Sequence, residues 1–253
     1  YRPVPVATSA GDYADPSRIR AANSFYNWEV YAFSKTLYEA SPLDRPVEEY
    51  GPGSPWHTRG KSVKTAYLVN EDSGLLSCSG YLVESDTSLT CVGTLPSGNL
   101  NVVKVTDEDG NVSLTFTDKL GRKALERTVD GERYQDIYYV YDDLGLLRYV
   151  LTPEASAVMS SSGTFGDSSS PLSAQAYVYK YDGKGRCVSK RLPGCAPILY
   201  RYDKGDVPIF SQDGEMRKRG KWMFSFRDLL GREAVSGVWP LQNAPSSVEI
   251  PAV

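Results

Sequence analysis

Histidine and long apolar runs are scarce in this sequence, and each of these two shortages excludes a class of function. The chain has 253 residues but one histidine, His57, and three methionines. A single histidine cannot complete a zinc site with the scattered cysteines, and it leaves carboxylates as the main acid–base groups. No apolar run approaches the roughly 20 residues that a membrane helix needs, so we predict that the chain does not span a membrane.

Motifs for catalysis and cofactor binding are also missing from the sequence. There is no GxSxG nucleophile motif, no P-loop and no dinucleotide-binding fingerprint. The adjacent pairs Asp142–Asp143 and Glu48–Glu49 are not catalytic dyads by themselves, because neighbours on a strand point to opposite faces. A calcium loop at 107–111 would lack its bidentate glutamate. We predict no enzyme, no cofactor and no metal, with a glycosidase built from two distant carboxylates as an alternative.

Charge is nearly balanced, and cysteines are few. The net charge is −3 and the pI about 5.4, which argues against binding of nucleic acid, since that requires clustered Lys and Arg. The densest basic run, at 216–221, is interpreted as a solvated turn. The cysteines form two local pairs whose spacing fits either disulfides or free, packed thiols, and we favour free thiols: Cys78 with Cys91, and Cys187 with Cys195.

Tyrosine and turn-forming residues are abundant. The sequence has 18 Tyr against 7 Phe, together with 22 Gly and 16 Pro. Tyrosine favours strands, because a ring on a pleated sheet buries its body while its hydroxyl reaches water. Glycine and proline mark frequent turns. The composition therefore predicts an all-β fold.

A turn motif repeats through the second half of the chain. Six segments have an aromatic or β-branched residue shortly before an aspartate, and five of them have glycine three positions after it. The aspartates are 11, 24, 40, 21 and 25 positions apart. The six pairs are Asp107 and Gly110, Asp118 and Gly121, Asp142 and Gly145, Asp182 and Gly185, Asp203 and Asp206, and Asp228 and Gly231.

Each unit predicts a β-hairpin. Aspartate at the first turn position accepts hydrogen bonds from backbone N–H groups further along the turn, and the later glycine supplies a positive φ, as in a type I turn with a G1 bulge. Asp206 tolerates positive φ better than most residues. Tyrosines on the flanking strands can stack on the next unit, and arginines after the glycine can lie over those rings. These residues are interpreted as scaffold.

Several sequence segments resemble those of a known family. Residues 139–151 and 179–194 resemble YD repeats of the rearrangement-hotspot (Rhs) family, and residues 220–232 resemble a further unit. The earlier segment 32–45, together with residues 51–53 and Trp56, resembles the uncharacterised domain that precedes such repeats in large Bacteroidetes surface proteins. The resemblance covers residues 25–235.

This resemblance implies successive antiparallel hairpins that form a curved or spiralling sheet, which in long members closes into a hollow shell. The chain has too few repeats to close a shell by itself. We predict a non-catalytic structural module, extracellular or at the cell surface, whose partners are neighbouring repeats of a larger parent chain or another protein. The alternative is adhesion or glycan binding through an aromatic face, for which the candidates are Trp28, Trp56, Trp222 and Trp239.

Four parts are predicted along the chain. A flexible leader (1–15) is followed by a β-rich domain (16–112), with a short helix at 18–28, a strand at 31–39 and a Pro/Gly loop at 46–60. YD hairpins follow (113–239), with a mobile serine-rich insertion at 159–173, and a tail (240–253) ends the chain. Further strands of the β-rich domain are predicted at 63–70, 80–84, 89–95 and 100–105.

Overall fold

The computed structural model describes residues 31 and 33–240. The predicted leader, the predicted helix at 18–28, Trp28 and all but the first residue of the predicted tail lie outside this part of the chain.

The described residues form mostly strands. The strands are β1 (Lys35–Tyr38), β2 (Pro46–Tyr50), β3 (Val63–Val69), β4 (Ser79–Ser85), β5 (Ser88–Thr94), β6 (Asn101–Thr106), β7 (Val112–Thr117), β8 (Lys123–Asp130), β9 (Arg133–Tyr141), β10 (Leu147–Leu151), β11 (Gly163–Gly166), β12 (Ala176–Tyr181), β13 (Cys187–Arg191), β14 (Ile198–Tyr202), β15 (Pro208–Gln212), β16 (Trp222–Arg227) and β17 (Glu233–Trp239). The helices are α1 (Ser54–Thr58), α2 (Pro153–Val158), α3 (Ser170–Gln175) and α4 (Gly214–Lys218), with a 3-10 turn at Gly74–Leu76. Strand accounts for 49% and helix for 12%, which confirms the predicted all-β class.

Two antiparallel sheets contain all these strands. The larger has 14 strands in the order β1-β2-β3-β6-β7-β8-β9-β10-β12-β13-β14-β15-β16-β17, and the smaller has three in the order β11-β5-β4. The large sheet is thus a succession of hairpins, as predicted. Within residues 31 and 33–240, no helix is long and apolar enough to cross a membrane.

The main core lies on one face of the large sheet. Phe116 on β7 is opposite Leu125 on β8, which is opposite Tyr138 on β9, and all three are buried. Because side chains alternate along a strand, the same face continues to Tyr149 on β10 and Val178 on β12. This inner face is therefore predominantly apolar from β6 to β12. A fully buried leucine or phenylalanine contributes about 1.5–3 kcal/mol to stability.

A second layer covers this part of the inner face. It comprises the small sheet, α2 and α3, and it adds buried side chains to the same core: Cys78, Leu89, Ala155, Met159 and Leu172. The inner face of β14–β17 carries a separate small cluster around Phe210 and Trp222.

Two predicted loops are structured. The predicted Pro/Gly loop at 46–60 contains β2 and α1. The serine-rich stretch at 159–173, predicted to be a mobile insertion, contains β11 and the start of α3. The serine-rich composition did not predict this packing, because it depends on three apolar residues among the serines. Met159 and Leu172 are buried in the core, and Phe165 packs against it. Serine-rich composition alone therefore did not determine whether the segment packs.

Strands predicted before the repeats agree with the structure to within two residues, except at the start of the chain, where β1 is shorter than the predicted strand at 31–39. All four cysteines are free, and Cys78 and Cys91 are buried. The turn between β1 and β2 resembles the repeat turns, because Asp44 has a φ of 46° and its N–H donates to the Ser41 carbonyl at 3.2 Å.

The large sheet has two edge strands, β1 and β17. On β17 the side chains of Val235, Val238 and Trp239 are exposed. An exposed apolar edge strand is a template for pairing with another chain.

Replacing Val235 by lysine should therefore reduce concentration-dependent self-association of the isolated chain, because an edge lysine opposes strand pairing. Sedimentation velocity over a range of concentrations measures this. The control is Ser113→Lys, which adds the same charge at an exposed position of the interior strand β7. Equal self-association of the wild type and V235K would contradict the expectation.

Candidate functional site

The repeated aspartate turns are the main feature that sequence reasoning singled out. At Asp182, Oδ1 accepts hydrogen bonds from the N–H of Lys184 at 2.9 Å and of Arg186 at 3.0 Å. The Gly185 N–H donates to the Asp182 carbonyl at 2.9 Å, and the Asp182 N–H donates to the Arg186 carbonyl at 3.0 Å. One carboxylate oxygen thus satisfies two turn N–H groups, while the backbone closes the loop around it.

All six turns share this geometry. In each, Oδ1 of the aspartate accepts from the N–H groups two and four residues later at 2.8–3.1 Å. The residue three positions later has a φ between 62° and 89°. The aspartates are Asp107, Asp118, Asp142, Asp182, Asp203 and Asp228, and the positive-φ residues are Gly110, Gly121, Gly145, Gly185, Asp206 and Gly231.

Five of these turns lie along one edge of the large sheet. Neighbouring strands alternate in direction, so the turns that join β7 to β8, β9 to β10, β12 to β13, β14 to β15 and β16 to β17 are on the same side. The turn at Asp107, between β6 and β7, is on the opposite side. The row of turns is called the turn edge below, and it comprises the turns that begin at Asp118, Asp142, Asp182, Asp203 and Asp228.

An arginine four residues after the aspartate completes three of these turns. Arg122, Arg186 and Arg232 each donate from Nε to Oδ2 of their own turn aspartate at 2.7 Å. Such charge-assisted bonds hold the guanidinium flat against the turn. The arginine is thereby positioned before it contacts anything else.

The positioned arginine covers a tyrosine of the next turn. Arg122 lies 4.9 Å from the centre of the Tyr141 ring, and Arg186 lies 5.0 Å from the Tyr202 ring. In each case the tyrosine immediately precedes the next turn's aspartate. A methyl group added at Gly145 would lie 3.1 Å from Arg122 Nη1, so a side chain here would crowd the guanidinium in addition to being strained by the positive φ.

Tyrosine hydroxyls tie the same turns together through the backbone. The Tyr202 hydroxyl donates to the Cys187 carbonyl at 2.7 Å, and the Tyr181 hydroxyl donates to the Leu147 carbonyl at 2.8 Å. Each bond joins the strand before one turn to the strand after the preceding turn. The turn edge is therefore a chain of coupled units.

Arg232 has the same bond to its turn but lies at the end of the row. Its side chain is 72% exposed, compared with 33% for Arg122 and 23% for Arg186. Within the described residues no strand follows β17 in the sheet.

Asp206 occupies the position that is glycine in the other five turns, and its carboxylate contacts the preceding turn. Its Oδ1 lies 2.6 Å from Arg186 Nη1 and 3.2 Å from Lys184 Nζ, both of the preceding turn. These cations lower the pKa of Asp206, with the hydrogen bond from Lys184 contributing most. The position therefore exchanges the freedom of glycine for a link between two turns.

Hydrogen bonds also lower the pKa values of three of the turn aspartates. The largest cause is the Arg186 side chain for Asp182, the Arg232 side chain for Asp228 and the Asn111 side chain for Asp107. Each bond favours the charged carboxylate.

Two buried arginines that sequence reasoning missed connect the two layers. Arg127 bonds Asp136 on the neighbouring strand and donates to the carbonyls of Leu75 and Ser77, each at 2.8 Å. Arg148 bonds Asp86, in the turn between β4 and β5, at 2.8 Å. The signal for Arg127 was its place two residues after Leu125, at an inner-face position of an alternating strand.

The aromatic candidates do not form a shared surface. Trp222 is 3% exposed and packs edge-on against Phe210, while Trp239, opposite it on β17, is 51% exposed. Trp56 is half-buried in α1, between β2 and β3, far along the sheet.

Carboxylates are sparse in the clefts. Four clefts of the described chain contain at most one carboxylate each: Glu71, Asp136 or Asp167. Residues 31 and 33–240 contain no group of three or more His, Cys, Asp or Glu arranged to hold a metal ion. At Asp107, Oδ1 bonds two turn N–H groups and Oδ2 bonds the Asn111 amide, so the hairpin turn accounts for this acidic segment.

Comparison with known proteins gives one family match and several structural matches. Residues 1–69 match the family described as a domain of unknown function (DUF6443). No curated protein matches the sequence. The crystal structure of TcdB2-TccC3 without its hypervariable C-terminal region matches with a TM-score of 0.51 and 11% identity over 86% of this chain. The fold is similar to that of Rhs/YD repeat shells.

Two further structures match more distantly. One is a Tc holotoxin pore of Photorhabdus luminescens with a mutation in TccC3, at a TM-score of 0.41 and 11% identity over 84% of this chain and 9% of that one. The other is TcdB2-TccC3-TEV, at 0.35 and 11% over 81% of this chain and 10% of that one. The chain spans 9% of the length of the first structural match. At 11% identity, the likeness shows the fold alone.

Removing a turn carboxylate should destabilise the protein. We expect Asp142→Ala to lower the free energy of unfolding by about 1–3 kcal/mol, because the N–H groups of Leu144 and Leu146 lose their acceptor. Urea unfolding followed by circular dichroism measures the change. The control Asp143→Ala alters the adjacent exposed carboxylate, and a similar loss in both variants would contradict a specific role for Asp142.

The residue at 206 should tolerate glycine better than alanine. Asp206→Gly removes the links to Arg186 and Lys184 but accepts the φ of 62° without strain, whereas Asp206→Ala loses the links and keeps the strain. Thermal unfolding should give a higher Tm for the glycine variant. A lower Tm for glycine than for alanine would show that φ is not the limiting factor.

Acid should weaken the turns. A carboxylate whose pKa is lowered in the folded state stabilises fully above its unfolded pKa, about 3.9 for aspartate, and loses that contribution as the pH falls through the folded value. We therefore expect the stability of the wild type to fall more steeply below about pH 4 than that of Asp182→Asn. Urea unfolding at a series of pH values measures both slopes, and identical slopes would contradict this.

Proposed function

We propose that this chain is a non-catalytic structural module of a larger, extracellular YD/Rhs-type repeat protein. The exposed end of the turn edge is the observation that carries the proposal. Arg232 is positioned by Asp228 in the way that Arg122 and Arg186 are positioned, yet only those two cover a tyrosine of a following turn. A further hairpin beside β17 would supply the missing ring.

The edge strand supports the same reading. Among the described strands β17 pairs on one side only, and it exposes apolar side chains, an arrangement that isolated domains usually blunt with charge or proline. A next strand with a tyrosine before its aspartate would pair with β17 and stack on Arg232. The partner is therefore a neighbouring repeat, in the parent chain or in another protein.

Within residues 31 and 33–240 the aromatic candidates and the cleft carboxylates form no shared surface, which supports a scaffold over a binding module. The exposed Trp239 is adjacent to the buried Trp222, and Trp56 is separated from both by many strands.

The size and location of the native product test this proposal. An antibody against this segment is applied to surface, secreted and cytoplasmic fractions of the source cells. We expect a band several times larger than 27.9 kDa in the surface or secreted fraction. A band near 27.9 kDa would contradict a module of a larger shell, and a cytoplasmic band would contradict the extracellular location.

A further inference from the structure

A cavity of about 690 Å³ lies where the second layer ends on the inner face of the large sheet. Its floor is formed by β12, β13 and β14, and one wall is formed by the second layer at Thr87 and residues 166–168. Lys180 and Arg191 are the cations of the lining, and Asp167 is its carboxylate. The repeat scaffold does not account for this cavity.

The carboxylate in the cavity is already neutralised. Asp167 Oδ1 accepts a hydrogen bond from the Tyr149 hydroxyl at 2.8 Å, and Oδ2 lies 2.7 Å from Lys180 Nζ. The latter contact is an ion pair without hydrogen-bond alignment, since Oδ2 has no hydrogen-bond partner. Lys180 thus balances the charge of the Asp167 carboxylate. Arg191 bonds the backbone carbonyl of Asp167 and not its carboxylate.

Arg191 is held in place by carbonyl groups alone. Its Nη2 donates to the carbonyls of Asp167 at 2.8 Å and Leu172 at 3.2 Å. Its buried Nε–H has no acceptor. Among the described residues no carboxylate pairs with Arg191. The guanidinium is therefore fixed at the cavity with its charge uncompensated.

The surrounding strands add more positive charge than negative charge. Arg201, further along the inner face on β14, contacts the Tyr200 carbonyl and lies 5.8 Å from the centre of the Trp222 ring. Strands β12–β17 contain one carboxylate, Glu233, which bonds Ser225 and Ser236. Charge complementarity at the cavity thus calls for an anion.

We propose that this cavity is a binding site for a carboxylate, whose oxygens bond Lys180 and Arg191 while its carbon chain contacts Val178 and Leu199. A planar carboxylate suits a guanidinium fixed on one side by carbonyls, because it accepts from the remaining N–H groups. The source is either an acidic side chain of a peptide or a small free carboxylate. The site is independent of the proposed scaffold function.

Fluorescence anisotropy with a labelled hexaglutamate peptide tests the site on the intact chain. We expect saturable binding that Lys180→Gln weakens roughly tenfold or more, since one charge-assisted bond is lost and the Asp167 carboxylate loses its cation. The matched control is Lys190→Gln, on the opposite face of neighbouring β13, where Lys190 lies over the Tyr179 ring. This control should leave the affinity unchanged. Arg191→Lys is a second variant, which retains the charge but loses the planar donor set, and it should also bind more weakly.

Competition separates the two sources. Displacement of the peptide by succinate, with no binding of hexaglutamine, would assign the site to a small carboxylate. Displacement by acidic peptides alone would assign it to a peptide. Equal weakening by Lys180→Gln and Lys190→Gln would overturn the proposal, because it would show general attraction to positive charge. Absence of any saturable binding would overturn it as well.

Discussion

The fold depends on one interaction, the acceptance of two turn N–H groups by a single aspartate oxygen. Each five-residue turn would otherwise leave its N–H groups to water and its chain direction undetermined. With the carboxylate in place, the turn closes tightly enough for the strands to pair directly on either side of it. In five of the six turns a register shift follows within the flanking pair, as expected for a bulge next to a positive-φ residue. The hairpins are thereby fixed in register one by one.

Coupling between turns then gives the sheet its continuity. An arginine that is fixed by its own aspartate can cover a ring of the next unit with little loss of side-chain freedom, because that freedom has already been lost within its turn. Buried arginines connect the two layers in a similar way, because Arg127 donates to the carbonyls of Leu75 and Ser77 before β4, and Arg148 donates to the Asp86 carboxylate between β4 and β5. Both kinds of contact use the planar, many-donor guanidinium, which a lysine could not replace.

The sequence predicted the parts of the fold that local chemistry determines. The hairpin strands and the overall β class follow from alternation and turn residues that act within a few positions. Strands β4 and β5 of the second layer were predicted, but β11, α2 and α3 were not, because their packing depends on single apolar residues such as Met159 and Leu172 placed among serines. The helix α1 was missed, since proline and glycine in residues 46–60 suggested only a loop. The cavity beside Lys180 and Arg191 joins residues from distant segments, and only the tertiary structure brings Asp167 to them.

The side of the sheet opposite the turn edge has a different character. From β8 onward its connections vary from a two-residue link at 131–132 to the long excursion at 152–175 that builds half of the second layer. Strand spacing on the turn edge is unaffected by these lengths, so successive turns stay about 10 Å apart whatever the other side carries. The irregular step of 40 residues between Asp142 and Asp182 therefore does not change the spacing between their two turns on the turn edge. The turn edge therefore keeps a constant spacing between turns, while connections on the opposite side can vary in length. A chain of this kind can gain an insertion that packs on the sheet without a change in the spacing of its turns.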